Sequence, residues 1–205
     1  MLGNELLRGE QVYLARPTPE DIPVIAGWSQ DTEYYRMLRR GFSYPETSES
    51  YSGWFASMVS EQSGFPFAIR RQDDEGLIGW LVLREIFWQA RHCAFAIGLD
   101  PAQRGRGYGT DATRVALSYA FLELNLNRVG LDVMAYNEAG IRAYTKVGFV
   151  HEGTLRALTY RDGIYYDALM MSMLRSDWEK RYNQPAISYP AAAQASAPAT
   201  DAAPE

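Results

Sequence analysis

The chain has 205 residues, of which 47% are hydrophobic and 22% charged, a balance that suits one compact domain with its own core. A net charge of −5 argues against a general nucleic-acid binder, which needs a basic face. The single cysteine, Cys93, excludes an internal disulfide and fits a reducing, cytoplasmic compartment. Met1 to Glu10 lack the basic start and apolar run of a secretory signal, and no stretch approaches the ~18 apolar residues of a membrane span.

Residues 11–16 alternate like a strand. Thr18-Pro19-Glu20-Asp21 reads as a helix start, with Thr18 as N-cap, Pro19 at the first helical position and the acids in the first turn. A polar and aromatic connection follows from Asp31 to Tyr44. Ser43-Tyr44-Pro45-Glu46 has the form of a capping box, ahead of Tyr51, Trp54, Phe55, Met58 and Val59 at helical spacing. Phe65 to Arg70, Leu77 to Glu85 and Arg91 to Leu99 read as an antiparallel meander. A glycine-rich segment at 103–110 opens a helix of roughly 15 residues. Arg128 to Met134 is a strand, Asn137 caps a short helix ending at Gly148, and strands near 149–158 and 164–175 flank an Arg161-Asp162-Gly163 turn. Together, residues 1–182 form one predicted domain. Residues 183–205, mostly Ala, Pro, Ser and Thr, are expected to be a disordered tail, because they bury too little apolar surface to offset ordering.

Gln103-Arg104-Gly105-Arg106-Gly107-Tyr108-Gly109-Thr110 carries the strongest chemical signal. It lies between a strand and a helix, where successive backbone N–H groups and the helix dipole face one anion and glycine permits close approach. Arg104 and Arg106 add full charges. The segment lacks the Gly-Lys-Ser/Thr ending of a Walker loop, and glycines at 105, 107 and 109 miss the dinucleotide spacing. A dehydrogenase reading survives only through Asp132, near the place of a ribose-binding acid. A turn serving close packing alone is the bland alternative.

Arg104 to Gly109 resembles the R/Q-x-x-G-x-G/A motif of the GNAT (Gcn5-related) N-acetyltransferases. Asn137-Glu138-Ala139-Gly140-Ile141-Arg142-Ala143-Tyr144-Thr145-Lys146-Val147-Gly148-Phe149 is similar to the family's N-x-x-(A/S)-x-x-x-Y-x-K-x-G-F helix. The resemblance spans roughly residues 10 to 178 and is closest to the RimJ/RimL-like branch. It implies an α/β fold with a mixed, mostly antiparallel twisted sheet, splayed between its fourth and fifth strands and flanked by helices. It further implies that acetyl-CoA is the cosubstrate, without a metal. Pantetheine would pair with Ile97, Gly98 and Leu99, and the pyrophosphate would sit on Arg104, Gly105, Arg106, Gly107, Tyr108, Gly109 and Thr110. Asn137 would touch the pantetheine arm, and Tyr144 and Lys146 complete the implied coenzyme site.

The same resemblance makes Tyr144 the general acid; a core tyrosine is the alternative. An unperturbed Tyr lies about 1.5 units, or ~2 kcal/mol, above a Cys-like leaving thiolate. Many members carry a strand-four Glu as base, but Phe95-Ala96-Ile97-Gly98 has Ala96 there. Glu85, Glu33, Asp31 and His92 are the candidates left, with water as a relay. Acceptor walls are expected from residues 28–45 and 152–167. Residues 1–100 hold 14 acids and 9 arginines, against 11 charges of each sign in 101–205. That asymmetry weakly favours a cationic amine or a basic peptide over other acceptors. A protein N-terminus, a polyamine or another small amine remain open, as do a homodimer and a non-catalytic CoA-binding module. Nucleic acid and membrane are not expected partners. Cys93 and the two histidines make no metal-ligand pattern, and Cys93 reads as a buried structural thiol.

Overall fold

The computed structural model describes residues 5–61 and 63–182. Its elements in chain order are β1 (Val12–Ala15), α1 (Asp21–Trp28), α2 (Thr32–Leu38), α3 (Ser48–Ser60), β2 (Gly64–Arg71), β3 (Leu77–Phe87) and β4 (His92–Leu99). There follow α4 (Tyr108–Ser118), β5 (Arg128–Met134), α5 (Glu138–Val147), β6 (Val150–Arg161), β7 (Ile164–Leu174) and α6 (Arg175–Tyr182). The seven strands form one sheet in the order β1-β2-β3-β4-β5-β7-β6. Every neighbouring pair is antiparallel except β4 and β5.

That exception positions the site. β4 and β5 pair only at His92↔Arg128, Cys93↔Val129 and Ala94↔Gly130. Beyond Ala94 each strand stays bonded to its other neighbour, β4 to β3 as far as Leu99 and β5 to β7 as far as Met134. The sheet therefore opens as a wedge, and one edge of β4 from Phe95 to Leu99 has no strand beside it. Backbone polar groups on such an edge call for another partner. The expected splayed α/β sheet is present.

Alternation along β3 splits the core. Leu81 and Leu83 face a large cluster with α4, α5 and α6, whereas Trp80 and Val82 face Ile22, Ile25, Tyr51, Phe55 and Met58 of α1 and α3. Helices thus cover both faces, and β3 is buried without a break from Ile78 to Leu83 because neither face is wet there.

Four expectations change in detail. α1 begins at Asp21, not at Pro19. Asp21 is only 5% exposed, accepts from the Thr18 N–H and ion-pairs with Arg70 at 2.7 Å, so it closes the turn that Thr18 was expected to cap. The capping box is Thr47 with Ser50, four residues after Ser43; Ser43 is not the cap, and Glu46 has another task. Of the expected α3 stripe, Val59 is 47% exposed. The Asp31–Tyr44 connection contains α2, capped by the Asp31 carboxylate on the Glu33 and Tyr34 N–H groups. The π-helical turn Tyr119–Glu123 extends α4 to the expected length.

α6 was not foreseen. Trp178 buries against Phe121, while the Arg181 guanidinium donates to the Lys146 carbonyl and the Tyr182 hydroxyl to the Val147 carbonyl, each at 2.8 Å. These bonds satisfy carbonyls at the end of α5 that the helix itself cannot reach. Gly148 follows at φ +115, as a C-terminal glycine should. The expected tail, 183–205, lies outside the described residues.

Candidate functional site

Two clefts open along the wedge and meet at Met37, Leu38, Ile97, Asn137 and Tyr144, which line both. The first, of about 700 Å³, is walled by Ile97, Gly98 and Leu99 of β4, by the turn into α4, and by one face of α5.

The turn has the form the sequence implied. Gly105 and Gly107 lie at φ +77 and +90, a region that suits glycine. Gly107 is the N-cap of α4 and has no side chain to occupy the first N–H groups. Gly109 packs so closely on β4 that a Cβ would stand 3.0 Å from Leu99. Arg104 lies over the Tyr34 ring at 5.5 Å, a cation–π contact that aims its charge at the cleft. The cradle is held from behind by Asp111. This carboxylate is 4% exposed and accepts from the Glu10, Gln11 and Val12 N–H groups at 3.1, 2.8 and 3.1 Å.

Most expected coenzyme-side residues come together: Ile97, Gly98, Leu99, Arg104, Gly105, Gly107, Gly109, Thr110, Asn137, Tyr144 and Lys146 all line this cleft. Arg106 and Tyr108 do not. The Arg106 side chain is exposed outside it, and Tyr108 turns back onto the main core. Asn137 is an N-cap: its Oδ1 accepts from the Gly140 N–H at 2.9 Å, leaving the amide nitrogen as a donor. Missed from sequence were Tyr34, Met37 and Leu38, which come from the unforeseen α2. Asp31 followed by acidic Glu33 was the available helix signal. Gly98 has a reason too. A Cβ there would lie 2.5 Å from the Tyr34 hydroxyl and 2.8 Å from the Trp80 indole, where Trp80 Nε1 donates to Tyr34 at 2.9 Å.

The second cleft, of about 1210 Å³, is open and mixed in charge. Tyr51, Trp54 and Trp80 form an aromatic wall in edge-on contacts. Arg39, Arg40, Arg84 and Arg128 line it, as do Glu46, Glu85, Asp132 and Glu152. α2 and the loop after it are strapped across the wedge. Tyr136 donates to the Arg36 carbonyl at 2.7 Å, Arg40 pairs with Asp132, and Arg161 donates to the carbonyls of Arg39 and Gly41.

The candidate bases scatter. Asp31 caps α2, and Glu33 is exposed on the coenzyme side. Glu85 lines the acceptor cleft from a bulged, left-handed position at φ +53, paired with Arg84. His92 lines it too, stacked on Phe87 at 5.6 Å near the closed end of the wedge. Ala96, where the resemblance would put a strand-four Glu, lines the cleft and offers no acid. Sequence reasoning missed Glu46, the least exposed carboxylate of the cleft. Hydrogen bonds from Ser50 and Tyr35, with Arg39 at 3.2 Å, hold its pKa below the ordinary value, so it stays ionised. Asp132 is paired with Arg40 on the acceptor side, away from the glycine turn, and in a mostly antiparallel sheet the dinucleotide reading fails.

Tyr144 is half-buried between Phe95 and Phe149, and burial pushes its phenol up to about 12. Cys93, 3% exposed, is likewise pushed up to about 12 by burial, so it holds no thiolate at neutral pH. Among the described residues no group of three His, Cys, Asp or Glu side chains could hold a metal, and no helix is long and apolar enough to cross a membrane.

Comparison with known proteins agrees with this geometry. A family model described as Acetyltransferase (GNAT) domain matches residues 11–150. The SPbeta prophage-derived uncharacterized N-acetyltransferase YokL of Bacillus subtilis (strain 168) is 27% identical over 171 residues, 83% of this chain and 94% of that protein. The spermidine N(1)-acetyltransferase of Escherichia coli (strain K12) is 29% identical over 150 residues, 73% and 80% of the two chains. Among solved structures, spermidine N-acetyltransferase from Vibrio cholerae in complex with CoA and spermine superposes with a TM-score of 0.75 at 25% identity, covering 82% of this chain and 98% of that one. The chain belongs to the GNAT acetyltransferase family and is an acetyl-CoA-dependent N-acetyltransferase.

Proposed function

We propose that the chain transfers acetyl directly from acetyl-CoA to a primary amine, with both substrates bound at once. The observation that carries this reading is the pair of clefts meeting at Ile97, Asn137 and Tyr144. The donor enters by the glycine turn and the acceptor by the Arg39–Glu46 side. A covalent relay has no support, because Cys93, the cysteine in the acceptor cleft, is held as a thiol.

In this reading the N–H groups from Arg104 to Thr110 hold the diphosphate, and the free β4 edge pairs with the pantetheine amides. The thioester then lies beside Tyr144. The amine attacks the thioester carbonyl carbon; a tetrahedral intermediate forms, and its collapse breaks the C–S bond. A free N–H on the β4 edge stabilises the oxyanion. With Tyr144 near 12 and a Cys-like thiolate at about 8.5, full proton transfer is uphill by ~5 kcal/mol. Tyr144 therefore donates a hydrogen bond to the sulfur as charge develops, and the thiolate takes its proton later from solvent. Ala96 leaves the strand-four position without a base, so water in the open acceptor cleft accepts the amine proton. The open cleft of about 1210 Å³ leaves room for a protein N-terminus or a small amine, and relatives named for spermidine acetylation support the small amines. The RimJ/RimL-like placement rests on the two motifs. Homo-oligomerisation rests on the apolar tip of the β6–β7 hairpin, with Tyr160, Ile164 and Tyr165 exposed.

The test is thiol release from acetyl-CoA against a panel of primary amines, with Tyr144→Phe beside the parent. Turnover on at least one amine is expected. The variant should lose ~10²-fold in kcat, with coenzyme affinity changed by no more than about 3-fold. Tight coenzyme binding with no turnover on any amine would make the chain a binding module instead.

A further inference from the structure

The acceptor cleft carries a charge pattern that its family membership does not explain. Arg39 and Arg40 directly follow α2, and Arg84 comes from β3 across the cleft. Arg39 is paired with Glu46 and Arg40 with Asp132. Among the described residues Arg84 pairs only with Glu85, its neighbour in the chain, whose side chain is 67% exposed and stands on the bulge. Burial, and then the charges of Arg40 and Arg39, push the Arg84 pKa below the ordinary guanidinium value. Arg128, the fourth arginine of the cleft, is paired with Glu152, so Arg84 is the one whose carboxylate partner stands mostly in water and whose charge an incoming anion can still join.

The acids do not reverse this balance for a polycation. Glu46, the least exposed, is occupied by Tyr35, Ser50 and Arg39, with the two hydroxyls each at 2.5 Å. Asp132 is occupied by Arg40. Ala96 adds no acid on the β4 floor. A second ammonium on the acceptor would meet three carboxylates already engaged, Glu46, Asp132 and Glu152, and at Glu85 the adjoining Arg84 charge. A carboxylate or phosphate would meet a guanidinium fork that a water-exposed Glu85 only partly engages, a geometry suited to paired hydrogen bonds.

We infer that the acceptor amine also bears an anionic group, a carboxylate or a phosphate, and that Arg84 binds it. This rests on the acetyl-transfer reading above and narrows its acceptor class. It also sets this chain apart from relatives named for spermidine.

The experiment measures kcat/KM with saturating acetyl-CoA on the full chain. The acceptors are propylamine, 1,3-diaminopropane, spermidine, ω-amino acids of three to six carbons, and O-phosphoethanolamine, each corrected for its free-amine fraction. At least one anionic amine is expected to exceed both propylamine and the polyamines by ~10-fold or more, and the ω-amino acid and phosphate arms show which anion fits. Arg84→Gln should then lower the ratio of anionic to neutral turnover by ~10-fold, chiefly through KM, and Arg84→Lys, which keeps the charge without the fork, should fall between. If Arg84→Gln fails to bind acetyl-CoA through misfolding, the Lys variant alone supplies the ratio. Preference for spermidine or diaminopropane, or a ratio indifferent to both variants, overturns the inference while leaving acetyl transfer standing. No turnover on any amine overturns both.

Discussion

The two clefts of this enzyme are built by different means. On the side proposed for the coenzyme the main chain offers the binding groups: a turn at positive φ, the first N–H groups of α4, and a strand edge left open by the wedge. On the acceptor side the wall is made of side chains from α2, α3, β3, β5 and the hairpin, joined by ion pairs. A main-chain cradle tolerates change in the side chains around it but not in its dihedral angles. A cleft of ion pairs keeps its backbone while its selectivity shifts with single charges. In the proposed reading, that difference lets one fold present the same thioester to different amines.

The sharpest way to break the contrast is to remove the cradle's support. Asp111→Ala leaves three N–H groups at residues 10–12 without their carboxylate. Hydrogen bonds to a charged group carry about 1.5–3 kcal/mol each, so unfolding in urea should show a loss of ~3 kcal/mol or more, with weaker coenzyme binding. Gly107→Val acts on the cradle itself. A β-branched residue at φ +90 is strained, and its Cβ would approach Gln11 Nε2 at 3.3 Å. The expected result is ~10-fold weaker binding of CoA by calorimetry, with the order of preference among amines preserved. A reordered amine preference would mean that the two sides are not separable.

Acid sharpens the contrast from the other side. Arg128 and Ser172 lower the Glu152 carboxyl from 4.5 to about 2. A depressed carboxylate stabilises the fold above its unfolded pKa, and that stabilisation is lost as the pH falls through the folded value. Between about pH 4.5 and pH 2 the melting temperature should therefore fall less steeply in Glu152→Gln than in the parent. The effect should be small, because both side chains are 36% exposed and water screens the pair.

The same division decided what could be read from the chain. The glycine turn, Asn137, Gly148 and the β-meander are local signals, each set by the conformational freedom or capping chemistry of a few adjacent residues. Through the family resemblance that two of them carry, they implied the wedge and rather more than half of the residues lining the first cleft. Arg106 and Tyr108 misled because a cradle made of N–H groups does not require the intervening side chains to point inward. Asp111 escaped notice because its partners lie about 100 residues away. α2 is seven residues long, too short to declare itself by period. α6 begins directly after β7, so its start was read as strand. The acceptor cleft is the extreme case: Arg84, Arg40 and Asp132 converge only through tertiary structure, and nothing in their local sequence marks it.

The most direct measurement is amide hydrogen exchange with and without acetyl-CoA, followed peptide by peptide. Protection is expected over residues 95–99 and 104–110 and at the start of α5, with 39–46 and 84–87 little changed until an amine is added. Protection concentrated at 39–46 and 84–87 on adding acetyl-CoA alone, with none at the glycine turn, would contradict the assignment of the two clefts.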